Sequence, residues 1–305
     1  MNLTFDFAFE GFRIIRERPK LIAFWGAITL FGYGVMSLIL VYMAGPAVAQ
    51  AFAMFQSGKI DPTTLNVLNL QIAPAVLLCA PVYILMSSVL VCAVCRASFG
   101  ETDDRLGFLA FGWQEIRIMA VRALSLIILF GVLAGIPALV GVIGLVVTAG
   151  NAQAAAGIQA LGFIAAIGVT LWLGIRLSLN GVQSFDLKRF DLFGSYSLTR
   201  DRFWSLFTGY AVAFALAQIV AFLCDKIIEA IQVLTLGLNV TGEVRMPDIT
   251  SVDSFLTPAS VIAAVLTFAF VMPLGITIEL AAPAAAYRTL RGKIKPREVK
   301  EEAAG

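Results

Sequence analysis

The sequence predicts an all-helical, multi-pass membrane protein with six transmembrane helices, and three observations carry that prediction. Its 305 residues are 59% hydrophobic and only 14% charged, against roughly 45–50% apolar and 25% charged in soluble domains. Residues 21–58 and 123–175 contain no charge at all, and about 20 apolar residues already cross a hydrocarbon core of about 30 Å. A small residue, an aromatic and, four positions on, an arginine recur together: Gly11-Phe12 with Arg16, Gly112-Trp113 with Arg117, and Ser195-Tyr196 with Arg200. The recurrence divides the chain into three units, 1–95, 96–178 and 179–290, followed by a basic tail, 291–305. Each unit is expected to be an interfacial amphipathic helix followed by a hairpin of spans, all within one membrane domain.

Residues 5–18 read as the first such helix. Phe5, Ala8, Phe9, Phe12 and Ile15 share one face, and Asp6, Glu10, Arg13 and Glu17 the other. That pattern suits a helix lying flat in the interface or one packed on its own spans. The mixed charges of the first 20 residues do not resemble a cleavable signal peptide, and Pro19 marks the turn into the membrane.

Spans are then expected over 21–44, closed by Gly45-Pro46, and over 72–95, after a turn or cap at Asp61-Pro62-Thr63. The second copy of the skeleton lies in 106–120. It leads into spans 123–147 and 157–177, joined across an uncharged turn. The third copy, in 192–210, opens the span 203–224. A long polar segment follows, beginning with an amphipathic stretch over 226–238 and holding an Asn239-Val240-Thr241 glycosylation pattern. The sixth span is expected over 255–287.

All but three of the 22 basic residues, Lys59, Lys226 and Arg245, fall in alternate connections: the N-terminus, 96–122, 176–204 and the C-terminal segment. Basic residues favour the cytoplasmic face, so both termini are expected there. A net charge of +2 placed this way leaves no basic groove for nucleic acid.

Histidine is absent, which removes the commonest general base and metal ligand. Cys79, Cys92, Cys95 and Cys224 all lie in apolar segments and suggest no disulfide framework. Cys92 and Cys95 have a C-x-x-C spacing, but redox or zinc chemistry needs exposed thiolates or four ligands, so packing is their expected role. Gly131 and Gly135 permit close helix approach and are expected to pack inside the bundle. No catalytic residue, cofactor or metal is expected, and the chain is not expected to be an enzyme.

The candidate residues are of two kinds. Arg16, Arg117, Arg200 and Arg202, with Trp113 and Trp204, fall where inner-leaflet headgroups are expected, arginine for lipid phosphates and tryptophan for the interface. The positive-inside bias would by itself put the arginines there. Glu279, the one acidic residue well inside a span, sits between Pro273 and Pro283. It either reaches the headgroups or pairs with Arg176, as a structural carboxylate, or lines a wet cavity on a transport path.

The run Ser195-Tyr196-Ser197-Leu198-Thr199-Arg200, with Phe203, Trp204 and Leu206, resembles the signature of the glycerophosphodiester phosphodiesterase membrane-domain family. Tyr196 stands where that family often has Trp. The end of the sixth span, Tyr287-Arg288-Thr289-Leu290-Arg291, is similar to the family's last helix. The resemblance implies a bacterial inner-membrane protein that associates with lipids or envelope proteins. It implies no hydrolysis, because the family's catalysis belongs to a separate soluble barrel with histidine and metal ligands. The threefold arginine skeleton and the missing catalytic inventory make the expected function non-enzymatic: engaging or organising membrane lipids or other membrane proteins at the cytoplasmic leaflet. The alternative is a transporter of a small solute or lipid whose proline-interrupted sixth span moves around Glu279.

Overall fold

Six helical segments are long and apolar enough to cross a membrane, so the chain is a multi-pass membrane protein: Lys20–Ser57, Val67–Phe99, Trp113–Val147, Gly157–Asp186, Phe203–Ile231 and Pro258–Leu290. The computed structural model describes residues 5–58, 61–101, 105–148, 151–236 and 250–292. The Asn239 pattern and all but the first two residues of the basic tail lie outside these. Among the described residues the elements are a 3-10 turn, Phe5–Phe9, then α1 (Glu10–Glu17), α2 (Lys20–Ser57), α3 (Pro62–Phe99), α4 (Trp113–Val147), α5 (Ala152–Leu177), α6 (Asn180–Asp186), α7 (Gly194–Thr199) and α8 (Phe203–Leu236). After α8 come α9 (Val252–Phe255), α10 (Pro258–Leu266), a π turn (Thr267–Val271) and α11 (Met272–Leu290).

Several helices outrun their expected ends. Gly45-Pro46 does not close the first span, because α2 continues to Ser57 and stops at Gly58, whose φ is +66°. A proline removes one helical hydrogen bond, and in a membrane bundle neighbouring elements absorb that loss. Here Ala44, Gly45 and Ala47 are buried, so the small residues serve helix approach rather than termination. At the start of α3, Asp61 acts as the expected cap, accepting from the Thr64 backbone N–H at 3.0 Å. Similarly, α8 runs on through the expected amphipathic stretch to Leu236.

The second copy of the arginine skeleton does not form a separate interfacial helix. Residues 106–111 are non-helical, with Gly107 and Phe108 at positive φ. Glu115 then accepts from the Gly112 N–H at 2.8 Å and closes the first turn of α4. With no breaker before Pro137, the helix nucleated at Trp113 propagates into the membrane unbroken. The third copy forms only the short α7, which a bend at Arg200–Arg202 separates from α8.

The N-terminal segment packs on the spans, and its buried face overlaps the expected one in part: Ala8 is buried and Phe12 and Ile15 pack half-buried against the core. Phe7, Ala8, Glu10, Gly11 and Ile14 are buried, while Phe9 is 51% exposed. Phe7, Gly11 and Ile14 keep ordinary helical spacing, and it is this face, where Gly11 has no side chain to hold the segment off Ile278, that closes on the spans. Gly11 lies against the backbone of Ile278, and Gly209 against the Phe7 ring, which meets Tyr210 edge-on at 5.9 Å. A Cβ on Gly209 would sit 1.9 Å from the ring tip. Gly209→Ala is therefore expected to expel Phe7 and destabilise the fold by about 1–3 kcal/mol. In a Phe7→Ala background the same change should cost little, and equal losses in both backgrounds, read by thermal unfolding in detergent, would refute the contact.

The last span is the hub. Its π turn precedes Pro273, which has no N–H for the Ala269 carbonyl. Thr29, fully buried on α2, donates its hydroxyl to Phe268 O at 2.6 Å, and Gly26 packs against Ala269 O. One carbonyl of the altered helix turn, Phe268 O, is thus hydrogen-bonded from α2. Farther along, Ala281, Ala282, Ala284, Ala285 and Ala286 are all buried, and α11 packs on α1, α2, α3 and α8. The α4–α5 pair lies at the other extreme. Gly131 and Gly135 are exposed with open space beside them, so they do not pack internally as expected.

Candidate functional site

The connections rich in basic residues meet at one end of the bundle. Arg18 donates to Glu101 O at 3.2 Å, Trp25 Nε1 to Gly107 O at 2.8 Å and Tyr287 OH to Asp186 at 2.9 Å. Two buried ionic groups join these connections. Arg96, at the end of α3, bonds Glu115 on α4 and also donates to Phe108 O at 2.8 Å and Gln114 Oε1 at 3.1 Å. Glu10 accepts from Arg13 Nε at 2.8 Å and Ser98 Oγ at 3.3 Å, and Arg288 Nη1 reaches it at 3.4 Å while also donating to Ser98 O. The Glu10 carboxylate holds the Arg13 guanidinium above its ordinary pKa. These groups are satisfied internally and act as structural ties.

A third group at the same end is not satisfied. Near the end of α5, Arg176 is only 8% exposed, and its Nε and Nη1 are buried without an acceptor. Three rings surround the guanidinium, with centroids 5.0 Å away for Tyr196, 5.6 Å for Trp172 and 5.9 Å for Phe203. The local sequence explains the cage. Ser195 on α7 donates its hydroxyl to the Arg176 backbone carbonyl, docking α7 on α5, and Trp172, one turn before Arg176, meets Tyr196 edge-on at 6.1 Å. The bend after α7 then carries Arg200, Asp201 and Arg202 past the same spot.

The result is a cleft of about 350 Å³ lined by Trp172, Arg176, Arg200, Asp201, Arg202, Phe203, Trp204 and Ser205. Four of the candidate residues, Arg176, Arg200, Arg202 and Trp204, come together in it. Arg16, Arg117 and Trp113 lie outside its lining; Arg16 and Trp113 are exposed, and Arg117 is half-buried. Among the described residues no ion pair joins Arg176 to Glu279, which lies exposed on α11 and lines neither this cleft nor the smaller one beside Arg13 and Arg288. Cys92 and Cys95 are buried free thiols, and no group of acidic or cysteine residues is arranged to hold a metal among the described residues.

Sequence reading missed Glu10, Ser98, Arg96, Glu115 and Arg288 as a polar framework, and Trp172 as a wall of the cleft. Only Glu115 carried a local signal, an acidic residue three positions after Gly112 before an apolar run, as in a helix N-terminal box.

Fold and site together define a multi-pass helical membrane protein with an arginine- and tryptophan-lined cleft at its basic end. No family model, curated protein or solved structure matches the chain.

Proposed function

We propose that this is a non-enzymatic bacterial inner-membrane protein that engages or organises lipids, or partner proteins, at the cytoplasmic leaflet. The observation that carries the reading is the cleft itself, lined by three arginines and two tryptophans, in which Arg176 Nε and Nη1 are buried without an acceptor among the described residues. Arginine pairs with phosphate oxygens, and tryptophan favours the headgroup level. The meeting of the basic connections at one end supports a cytoplasmic placement for that end. The likeness of 195–206 to the glycerophosphodiester phosphodiesterase membrane-domain signature agrees with this reading.

The test is lipid content. Replacing Arg16, Arg117 and Arg200 together with Gln is expected to lower the anionic lipid that co-purifies in mild detergent by roughly 1 kcal/mol of attraction per charge removed. Unchanged anionic lipid in a folded triple variant would dismiss the proposal. A transport reading draws on the π turn and Pro273 in the last span, since interrupted helices mark many transporter sites. Glu279 lines neither cleft described above, so nothing at that residue adds to the transport reading.

A further inference from the structure

We propose that the cleft of Trp172, Arg176, Arg200, Arg202 and Trp204 is a binding site for one phosphate-bearing anion, anchored by Arg176. The proposal deepens the lipid-engaging reading, on which it rests, by assigning the site and the ligand chemistry. Four observations converge on it.

The first is the orphaned guanidinium. A buried cation is costly unless paired and hydrogen-bonded. The surrounding rings offset part of that cost through their π faces, each such contact contributing about 0.5–2 kcal/mol, but they leave Nε–H and Nη1–H without acceptors. An oxyanion supplies both charge and acceptors, and the planar guanidinium fork matches two phosphate oxygens at once.

The second observation is charge balance. Arg176, Arg200 and Arg202 face a single carboxylate, Asp201, and among the described residues none of the four makes an ion pair with the protein. Arg96 and Arg288, at the same end, each have protein acceptors; Arg117 Nη1 and Arg122 Nε are also buried without one, but neither residue lines a cleft with further arginines as Arg176 does.

Third, Phe203, Trp204 and Ser205 form the first turn of the long helix α8. N–H groups in a first turn have no intrahelical partner, and they present the positive end of the helix dipole. Fourth, size and walls fit a headgroup rather than a whole lipid. About 350 Å³ falls at the lower end of the roughly 300–1,000 Å³ of small-molecule sites. Trp204, 72% exposed and edge-on to Phe203 and Phe207, extends the wall with apolar surface beside which a glycerol backbone or acyl chain could lie.

The chemistry shared by a lipid headgroup and a soluble phosphate compound is the phosphate group, so the experiment separates the two sources. Thermal unfolding of delipidated protein in detergent would be followed against increasing short-chain phosphatidylglycerol, inorganic phosphate, or short-chain phosphatidylglycerol in the Arg200→Gln/Arg202→Gln and Arg176→Lys variants. A saturable rise in Tm with native protein is expected, with phosphatidylglycerol the effective probe if the source is lipid and inorganic phosphate if it is soluble. Each variant should weaken apparent affinity at least about tenfold, since a hydrogen bond to a charged group contributes about 1.5–3 kcal/mol. The double Gln variant alters an exposed and a half-buried arginine that make no ion pair among the described residues, and should keep its ligand-free Tm, so it decides the matter even if Arg176→Lys fails to fold. No saturable shift with either probe, or the same affinity in the double variant, would overturn the site. That failure is distinct from failure of the wider reading, because bulk lipid co-purification that still depends on Arg16 and Arg117 would survive it.

Discussion

Gly26→Ala is expected to destabilise the protein by at least about 3 kcal/mol, the upper part of the range for forcing atoms into a packed core. A Cβ at position 26 would lie 2.2 Å from the Ala269 carbonyl oxygen. No side chain can swing aside to relieve that contact, because the opposing atom is backbone in the π turn just before Pro273. Either α2 must retreat from the last span, losing the bond from Thr29 to Phe268 O, or the turn must rewind. The control is Gly34→Ala on the same helix, where the added methyl would meet open space. There the higher helix propensity of alanine should stabilise by up to about 1 kcal/mol. Thermal unfolding in detergent reads both, and equal midpoints for the two variants would mean that α2 and the last span are not in contact at Gly26.

The second large effect is expected at Arg96 and Glu115. Glu115 is 2% exposed and Arg96 9%, so removing one partner strands the other charge away from water. Such a break costs about 3–5 kcal/mol. Glu115→Gln also weakens the closure of the α4 first turn at Gly112, so it should be at least as harmful as Arg96→Met. The double variant Arg96→Met/Glu115→Gln should be no worse than the poorer single, because neither stranded charge remains. It should not return to the native value, since Phe108 O and Gln114 lose their donor. Strict additivity in this cycle, measured by unfolding, would show that the two residues do not act as a pair.

These two sites show which parts of the molecule were legible in the chain and which were not. The six spans were readable because the free energy of moving a side chain from water into hydrocarbon belongs to each residue and adds along a segment. The uncharged run 123–175 needed no neighbour to declare itself. The gathering of basic connections was legible for the same reason. Helix ends were less so: Gly45-Pro46 reads as a stop in water, but α2 runs past it because buried neighbours accept its small residues. In the N-terminal segment hydrophobicity favoured the face with Phe9, whereas the face that packs is the one with Phe7, Gly11 and Ile14, because close approach to Ile278 needs the missing side chain of Gly11.

The candidate site divides along the same line. Arg200, Arg202 and Trp204 could be singled out from charge, aromatic character and place beside a span, and Arg176 from its position at the end of one. Their union in one cleft depends on α7 docking on α5 through Ser195, and on Trp172, Tyr196 and Phe203 closing around a guanidinium from three elements. Sequence by itself determined how many times the chain enters the membrane and where its charge accumulates, because those are sums of local transfer energies. Only the tertiary structure decided which arginines are paired, as Arg96 and Arg288 are, and which, as Arg176, are left without an acceptor. Pairing requires atoms brought within about 3 Å, and residues distant in sequence reach that range only through close packing of helices whose contacts are not encoded in any single segment.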